Sequence, residues 1–551
     1  MAYLNALGLI CALGEDVAAV RAALFADAPG GVASHDDVLA GRALHLGRVT
    51  APLPAIDQLP LRHRSRNNAL ALAALQQIRP EVDAAIARFG AARVGVVLGT
   101  STSGIGESER AFAARARSGE FPADFDPRQQ EIGSLALMLA ELLGLAGPSY
   151  VISTACSSSA KAMAAAARLI ASGACDAVLT GGADSLCAFT VAGFDALESV
   201  SAERCNPMSA NRHGINIGEA AALFLMTKEP AEVRLAGWGE TSDAHHISAP
   251  DPSGDGALAA MREALKRAGL QPQDIDYLNL HGTATPHNDA MESRAVHELF
   301  GAALPCSSTK PLTGHTLGAA GALEAAIAYL SLTGNPQGLL PPHWGDGARD
   351  EALMPLALVA PGQSLGRPLR AVLSNSFAFG GSNAALVLER TTSAFDMQWT
   401  IEQLVPHAGR MSLLDRLAAS EGEGLVAELT IRADDLFFDT LGPGTGVGGW
   451  VGIEYMAQAV AAWAGLQARR KGAAPLIGFL LGSRNYQSSR AAFAAGELLR
   501  VHVRREFQAD NGLGQFDCRI EIEGEPVANA KLTVFGPPDP AAFLRGEESN
   551  E

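Results

Sequence analysis

The sequence predicts an α/β protein with a layered, mostly parallel sheet and an internal duplication, followed by a smaller α+β domain. Three observations carry this. Short apolar runs alternate with alanine-rich helical stretches up to about residue 390, the pattern of strand–helix layers. The alternation runs through two similar cycles that divide near residue 235. Past residue 398 the pattern becomes one long apolar helix and several segments of period-two alternation, which read as an antiparallel sheet around a helix.

In the first cycle Arg93–Leu98 (RVGVVL) reads as a buried strand that enters the glycine-rich turn GTSTSGIG. Ile132–Leu145 reads as a helix, Ser149–Ser153 as a strand, Ser157–Ser172 as a long helix and Ala177–Thr180 as a strand. The second cycle has helices over Gly254–Ala268, Met291–Phe300 and Ala319–Thr333, and strands over Ile275–Leu280, Leu369–Leu373 and Ala384–Leu388. The stretch 391–398 is the expected linker. Beyond it Trp450–Lys471 reads as one helix, and Glu497–Phe507, Phe516–Glu523 and Val527–Phe535 as strands, with turns at NGLG and Gly524–Glu525. The expected organisation is 1–390 in halves of about 1–235 and 236–390, then 399–540, then a tail over 541–551.

Composition narrows the class. Of 551 residues 48% are hydrophobic and 18% charged, which is ample for buried cores and excludes disorder as the main state. A net charge of −17 argues against a broad nucleic-acid surface. The seven cysteines are odd in number, widely spaced and form no CxxC pair, so neither a disulfide framework nor a metal site is expected, and a reducing cytoplasm fits. The start of the chain has no basic leader before its short apolar run. The longest stretches of low charge, such as Ser134–Ala160, are broken by residues like Glu141, Gly144 and Pro148, so no membrane span is expected.

Chemistry concentrates at two places. Cys156 lies in SYVISTACSSSAKAMAAAARLI, between a strand and a long helix. Backbone N–H groups at a helix start favour a thiolate and lower its pKa, and the same amides can receive an oxyanion. Cys11, Cys175, Cys187, Cys306 and Cys518 read as small buried apolar residues. His281 opens HGTATPHNDAMES after the strand DYLNL, and His315 lies in STKPLTGHTLGAAGALEA between Lys310 and Glu324. Two histidines at strand ends beside glycines and hydroxyls can donate hydrogen bonds to a carbonyl whose charge grows during decarboxylation. SNSFAFGGSN supplies a tight turn that brings amides to a ligand.

These motifs, in order with LGLICALG and NPMSANRHGINIGEAAA, resemble the β-ketoacyl-[acyl carrier protein] synthases, the elongating condensing enzymes, over residues 1–390. The resemblance implies a thiolase-like five-layer αβαβα fold. It implies that Cys156 takes the acyl chain, that His281 and His315 assist decarboxylation of malonyl-carrier protein, and that Lys310 and Glu324 form a supporting buried pair. Phe379 is implied as the gate, its amide forming the oxyanion hole with that of Cys156. The Cys–His–His set disfavours thiolases, starter synthases and chain-length factors. PMSANRHG and HNDAME depart from the usual PFDxxRDG and LGDPIE, although Asp289 and Glu292 are kept. Acyl carrier protein is the implied partner, docking at Arg62, Arg64 and Arg66 with Arg204, and its phosphopantetheine arm leaves no cofactor of the enzyme's own. A homodimer or a heterodimer with a homologous synthase is implied.

The second place is 399–540. His407 sits in VPHAGRMSLLDR, and Glu454 in WVGIEYMAQA, an apolar stretch where desolvation is expected to raise its pKa. With GFLLGSRNY these pieces resemble the hotdog-fold 3-hydroxyacyl-carrier-protein dehydratases, particularly those of aryl polyene clusters. Glu454 matches their helical acid. LFFDTLGPGTGVGG has no histidine where housekeeping dehydratases carry one, so either His407 serves as the base or the domain is a non-catalytic binding and assembly module. No dinucleotide-binding unit is present, so a separate ketoreductase has to act between condensation and dehydration.

Overall fold

The structure, a computed structural model, describes residues 2–39, 41–391, 399–421, 423–438, 446–470, 473–475, 477–509 and 512–537. The chain forms two compact units, Met1–Thr391 and Thr392–Glu551. The expected linker falls outside the described residues from position 392, as does the expected tail.

Thirteen strands are described in the first unit: β1 (Ala2–Cys11), β2 (Ala33–Leu39), β3 (Arg42–Leu46), β4 (Val94–Gly99), β5 (Ser149–Ile152), β6 (Ala177–Asp184), β7 (Ala220–Thr227), β8 (Val233–Ser242), β9 (Tyr277–Asn279), β10 (Pro305–Ser307), β11 (Ala357–Leu358), β12 (Ala371–Ala378) and β13 (Ser382–Arg390). Eleven make one sheet in the order β11-β10-β9-β12-β13-β8-β1-β7-β6-β4-β5. The order β5-β4-β6-β7-β1 is repeated as β10-β9-β12-β13-β8, with the same parallel and antiparallel neighbours. The faint sequence repeat is therefore a structural duplication, and the halves join where Ala2 and Tyr3 pair with Leu235 and Arg234. The sheet is mixed rather than mostly parallel. Each half closes with two antiparallel pairings: β13 follows β12 after the short Phe379–Gly381 turn, and β7 returns beside β6 after a long connection that carries the Ala188–Ala196 helix.

Helices supply the other layers. Ser158–Ala171 and Ala320–Leu332 follow β5 and β10, the third strand of each half. Both lie in the central core, packed with apolar residues of both half-sheets. Ala-rich sequence suits this place, since a helix between two sheets has little room for long side chains. Arg66–Gln77 and Ser134–Leu143 cover the outer face of the first half-sheet. Asp255–Ala268 and Pro286–Phe300 cover that of the second. The result is five layers. The Pro286–Phe300 helix starts five residues earlier than expected, with Pro286 in its first turn, where the missing N–H has no intrahelical partner to lose.

The second unit has a six-stranded, wholly antiparallel sheet. Its strands are β14 (Arg416–Glu421), β15 (Gly424–Thr430), β17 (Phe479–Ser488), β19 (Leu498–Gln508), β20 (Leu513–Ile522) and β21 (Glu525–Phe535), in the order β14-β15-β19-β20-β21-β17; β16 (Val447–Gly448) and β18 (Ala492–Phe493) pair separately. The Gly452–Arg470 helix packs into it through Tyr455, Met456, Ala459, Trp463 and Leu466. Glu523 and Gly524 both have positive φ and join β20 to β21 in a two-residue turn, as the Gly524–Glu525 signal predicts. Three of the six strands, β14, β15 and β17, lacked clean alternation; β17 is an edge strand with Leu480 and Leu481 exposed. No helix among the described residues is long and apolar enough to cross a membrane.

Gly99 ends β4 against the start of the Ser158–Ala171 helix, where an added Cβ would lie 2.3 Å from the Ser159 nitrogen. Gly99→Ala is expected to cost about 2–3 kcal/mol by overpacking. Gly193→Ala, in a helix with open space at its Cβ, is the neutral control. Thermal denaturation of both variants checks the contrast, which fails if their midpoints match.

Candidate active site

The duplication brings the chemistry together. Cys156 lies in the turn between β5 and the first central helix, and His315 in the turn between β10 and the second. His281 follows β9, and Phe379 follows β12. Ala155 holds φ of 52°, a left-handed conformation in a residue with a Cβ, just before the nucleophile. Cys156 is buried, and the His315 Nε2 is 2.9 Å from its Sγ. The His281 ring meets the His315 ring edge to face at 5.4 Å. The cleft above the thiol is lined by these three with Thr283, Phe377 and Phe379. Phe379 meets Phe194 at 5.5 Å in a tilted arrangement, and both rings line the cleft.

Burial dominates the electrostatics. It pushes the Cys156 thiol up to about 12, against the pull of Lys310 and of the Cys156 and Phe379 backbone amides. The expected lowering by the helix start is therefore overturned: the amides are there, but desolvation of the thiolate is larger. Burial, with the Lys310 charge, holds both imidazoles well below 6.5 and so neutral.

Lys310 and Glu324 form a buried ion pair, and the Lys310 Nζ also donates to the His281 carbonyl at 2.5 Å. Glu292 accepts the amides of His281 and Gly282, each at 2.7 Å. Burial raises the Glu292 carboxyl to about 7 and that of Asp289 to about 6. Asp184, not singled out in the sequence, accepts amides or hydroxyls from Thr100, Ser101 and Thr102 and the Gly318 amide, so it ties the glycine-rich turn to the start of the second central helix. Its signal was a carboxylate within the buried run TGGAD. Cys156, His281 and His315 are the one trio among the described residues whose donor atoms lie within 4.8 Å of one another. Neither Nδ1 has a hydrogen-bond partner, and Lys310 adds positive potential. That setting suits hydrogen-bonding imidazoles better than cation ligands.

The arginines divide. Arg62 pairs with exposed Glu141 at 2.7 Å, and the Arg64 Nε donates to the Leu59 carbonyl at 2.8 Å. Arg66 instead grips the fully buried Glu219, and Arg204 donates to the carbonyls of Gly30, Val32 and Pro311. Their guanidinium groups hold the fold together.

In the second unit the His407 Nε2 is 3.8 Å from the Glu454 Oε1 within one chain. Glu454 lies in the first turn of the Gly452–Arg470 helix, where the dipole favours a carboxylate. Its side chain is 32% exposed, so the expected deep burial is not found. Buried Gln458, one turn on, donates to Glu454 at 3.0 Å and to the Met411 carbonyl at 2.8 Å, and accepts the Leu413 amide at 2.9 Å. It fixes the carboxylate against the segment carrying His407. The i,i+4 spacing was its available signal.

A buried thiol beside two neutral imidazoles and beneath two amides, on a duplicated five-layer fold, defines a condensing acyltransferase. Residues 54–231 and 233–344 match the N-terminal and C-terminal domains of beta-ketoacyl synthase, and residues 399–545 match the ApeP-like family, described as ApeP dehydratase. A 3-oxoacyl-[acyl-carrier-protein] synthase 2 of Coxiella burnetii is 36% identical over 321 residues, 54% of this chain and 76% of that protein. One from Rhizobium meliloti is 40% identical over 268 residues, 45% of this chain and 62% of that protein. The ketosynthase ApeO of Xenorhabdus doucetiae, solved in complex with its chain length factor ApeC, has 45% identity and a TM-score of 0.67, covering 71% of this chain and 98% of that one. The chain belongs to the beta-ketoacyl synthase family and carries an ApeP-like dehydratase domain.

With the thiol raised, the thiolate fraction climbs with pH throughout the neutral range. The pseudo-first-order alkylation of Cys156 by iodoacetamide is expected to rise about tenfold per pH unit from 7 to 9. Peptide mass spectrometry of timed samples reads it; a plateau below pH 9 contradicts the raised value.

Proposed function

We propose that the protein condenses an acyl chain with a malonyl thioester at Cys156 and dehydrates a 3-hydroxyacyl thioester in its second unit, in polyene chain assembly of the aryl polyene type. The Cys156 thiol, giving its proton to His315, attacks the incoming thioester, and the carrier thiol leaves. The tetrahedral oxyanion is held by the Cys156 and Phe379 amides. The malonyl thioester then loses carbon dioxide, and neutral His281 and His315 donate hydrogen bonds to the enolate oxygen. The carbanion attacks the Cys156 thioester, forms the carbon–carbon bond and releases the thiolate. The observation that carries this reading is the 2.9 Å contact of His315 with the thiol, with His281 beside it.

The enzyme brings no cofactor, since substrates arrive as thioesters on acyl carrier protein. Arg62 and Arg64 offer the docking charge, and a separate ketoreductase acts between the two reactions. A homologous synthase subunit is the partner: β5 is an edge strand, with exposed Tyr150 on it and exposed Leu137 and Leu142 on the adjoining helix. The likeness to a ketosynthase solved with its chain length factor supports this. For the second unit, Glu454 serves as acid and His407 as base. Their approach within one chain, with Gln458 bracing Glu454, favours catalysis over the assembly-module reading.

The full-length protein with acyl- and malonyl-carrier protein is expected to yield a 3-oxoacyl product and carbon dioxide, with Cys156→Ala slower by about 10⁴-fold or more. With 3-hydroxyacyl-carrier protein, Cys156→Ala is expected to retain dehydration, and added Glu454→Gln to lower it by about 10²–10⁴-fold. Mass spectrometry of the carrier arm reads both. Folded protein without dehydration leaves the second unit as an assembly module.

A further inference from the structure

The turn that carries Phe379 is anchored to the first central helix. Lys161 lies five residues after Cys156 on the first central helix and is half-buried. Its Nζ is 2.6 Å from the Ser382 Oγ, at the far end of the Phe379–Gly381 turn. The Ser382 Oγ is 3.0 Å from the Ser157 Oγ, which donates to the Thr154 carbonyl at 2.9 Å. An ammonium has donors and no acceptor. Ser382 must therefore accept from Lys161, and because the one Ser157 hydroxyl proton goes to the Thr154 carbonyl, Ser382 donates to Ser157. Three successive hydrogen bonds thus run from Lys161 through the gate turn to the residues flanking the nucleophile.

The opposite side of the turn is held independently. The Gly380 amide donates to the Ile247 carbonyl at 2.9 Å, the Asp243 amide donates to the Gly381 carbonyl at 2.9 Å, and the Asn383 side chain donates to Asp243 at 2.6 Å. Those bonds tie the turn to the segment after β8. On the side of Cys156 the turn is tied through Ser382 to Ser157 and Lys161. Gly380 and Gly381 have positive φ; nothing lies within 4 Å of a Cβ at Gly380, whereas one at Gly381 would lie 2.8 Å from the Asp243 Cβ, so the turn is open at Gly380 and packed on the Asp243 side.

We propose that Lys161 is a positioning residue that, through Ser382, holds the Phe379 amide and ring in register with Cys156, and so sets the oxyanion hole of the condensing site. This rests on the reading of Cys156 as the acyl-accepting thiol. Lys161 does not touch the thiol in this arrangement; it acts on the second amide of the hole. Losing one such donor outright costs about 10²–10³-fold in rate. Loosening it is expected to cost less.

The test is the rate at which Cys156 in the full chain is acylated from acyl-carrier protein, followed by intact-protein mass spectrometry. Lys161→Met keeps the length of the side chain and removes its charge. It is expected to slow acylation at saturating carrier about 10–100-fold with KM changed less than threefold, and Lys161→Arg to recover part of the loss. Ser382→Ala is expected to cause a similar loss, and Lys161→Met with Ser382→Ala no more than the larger single one, because both act through one contact. Acylation of Lys161→Met at the unsubstituted rate overturns the proposal. So does a loss confined to KM, which would make Lys161 a docking charge, and so do losses that multiply in the double variant. Failure of the unsubstituted protein to be acylated overturns the reading of Cys156 and this proposal with it, whereas a fast Lys161→Met overturns this proposal alone.

Discussion

The condensing site depends on one buried cation. Lys310 is 2% exposed, and a charge so placed is stable only with partners. It has two, the Glu324 carboxylate and the His281 carbonyl. Lys310 belongs to the turn that leads to His315, Glu324 to the second central helix, and His281 to the turn after β9. A single ammonium thus draws together the three segments that carry both histidines. Its field also opposes protonation of each imidazole, so the contact that builds the site also keeps its histidines neutral. Removing either partner would leave the other charge buried alone, which is why the pair is bound to the architecture.

Duplication explains why the groups meet at all. Each half places its third strand before a central helix, and the two central helices pack against each other between the half-sheets. The turns before them, with Cys156 and His315, consequently face one another. The halves then diverge. In the first, the turn after β4 is closed by Asp184, which collects amides and hydroxyls from Thr100 to Thr102. In the second, the equivalent turn after β9 carries His281, and its amides are held from behind by Glu292. One half supplies the nucleophile and a closed brace, and the other supplies the open, histidine-bearing wall.

The layered fold, the repeat and the motifs around Cys156, His281 and His315 were legible because they are local: a strand, a glycine or hydroxyl turn, and a helix within about twenty residues. What was not legible is set by distant partners. Arg66 and Arg204 read as surface charge, but their partners, Glu219 and the carbonyls of Gly30 and Pro311, lie more than a hundred residues away in sequence. The thiol misled for a related reason. The helix start is visible in the sequence, while the burial that outweighs it is assembled from both halves. In the second unit, β17 lacks alternation because it is an edge strand, with its outward residues not sorted by a buried face. Gln458 looked like an ordinary helix residue until the Met411–Leu413 segment arrived beside it.

The two sites use burial in opposite ways, and their proposed chemistries explain why. A carbanion formed by decarboxylation is quenched by any proton donor within reach, and an acyl thioester is open to hydrolysis, so the Cys156 site has to be dry. Its nucleophile, both histidines and the Lys310–Glu324 pair are all buried. Dehydration releases water, and its acid and base must exchange protons with solvent between turnovers. A pair such as His407 and Glu454, each with about a third of its side chain open, suits that demand. Deep burial there would trap the water that the reaction expels. Gln458 supplies the rigidity that burial would otherwise give, through three hydrogen bonds from a fully buried amide. Exclusion of water orders the first site, and a braced but open carboxylate orders the second.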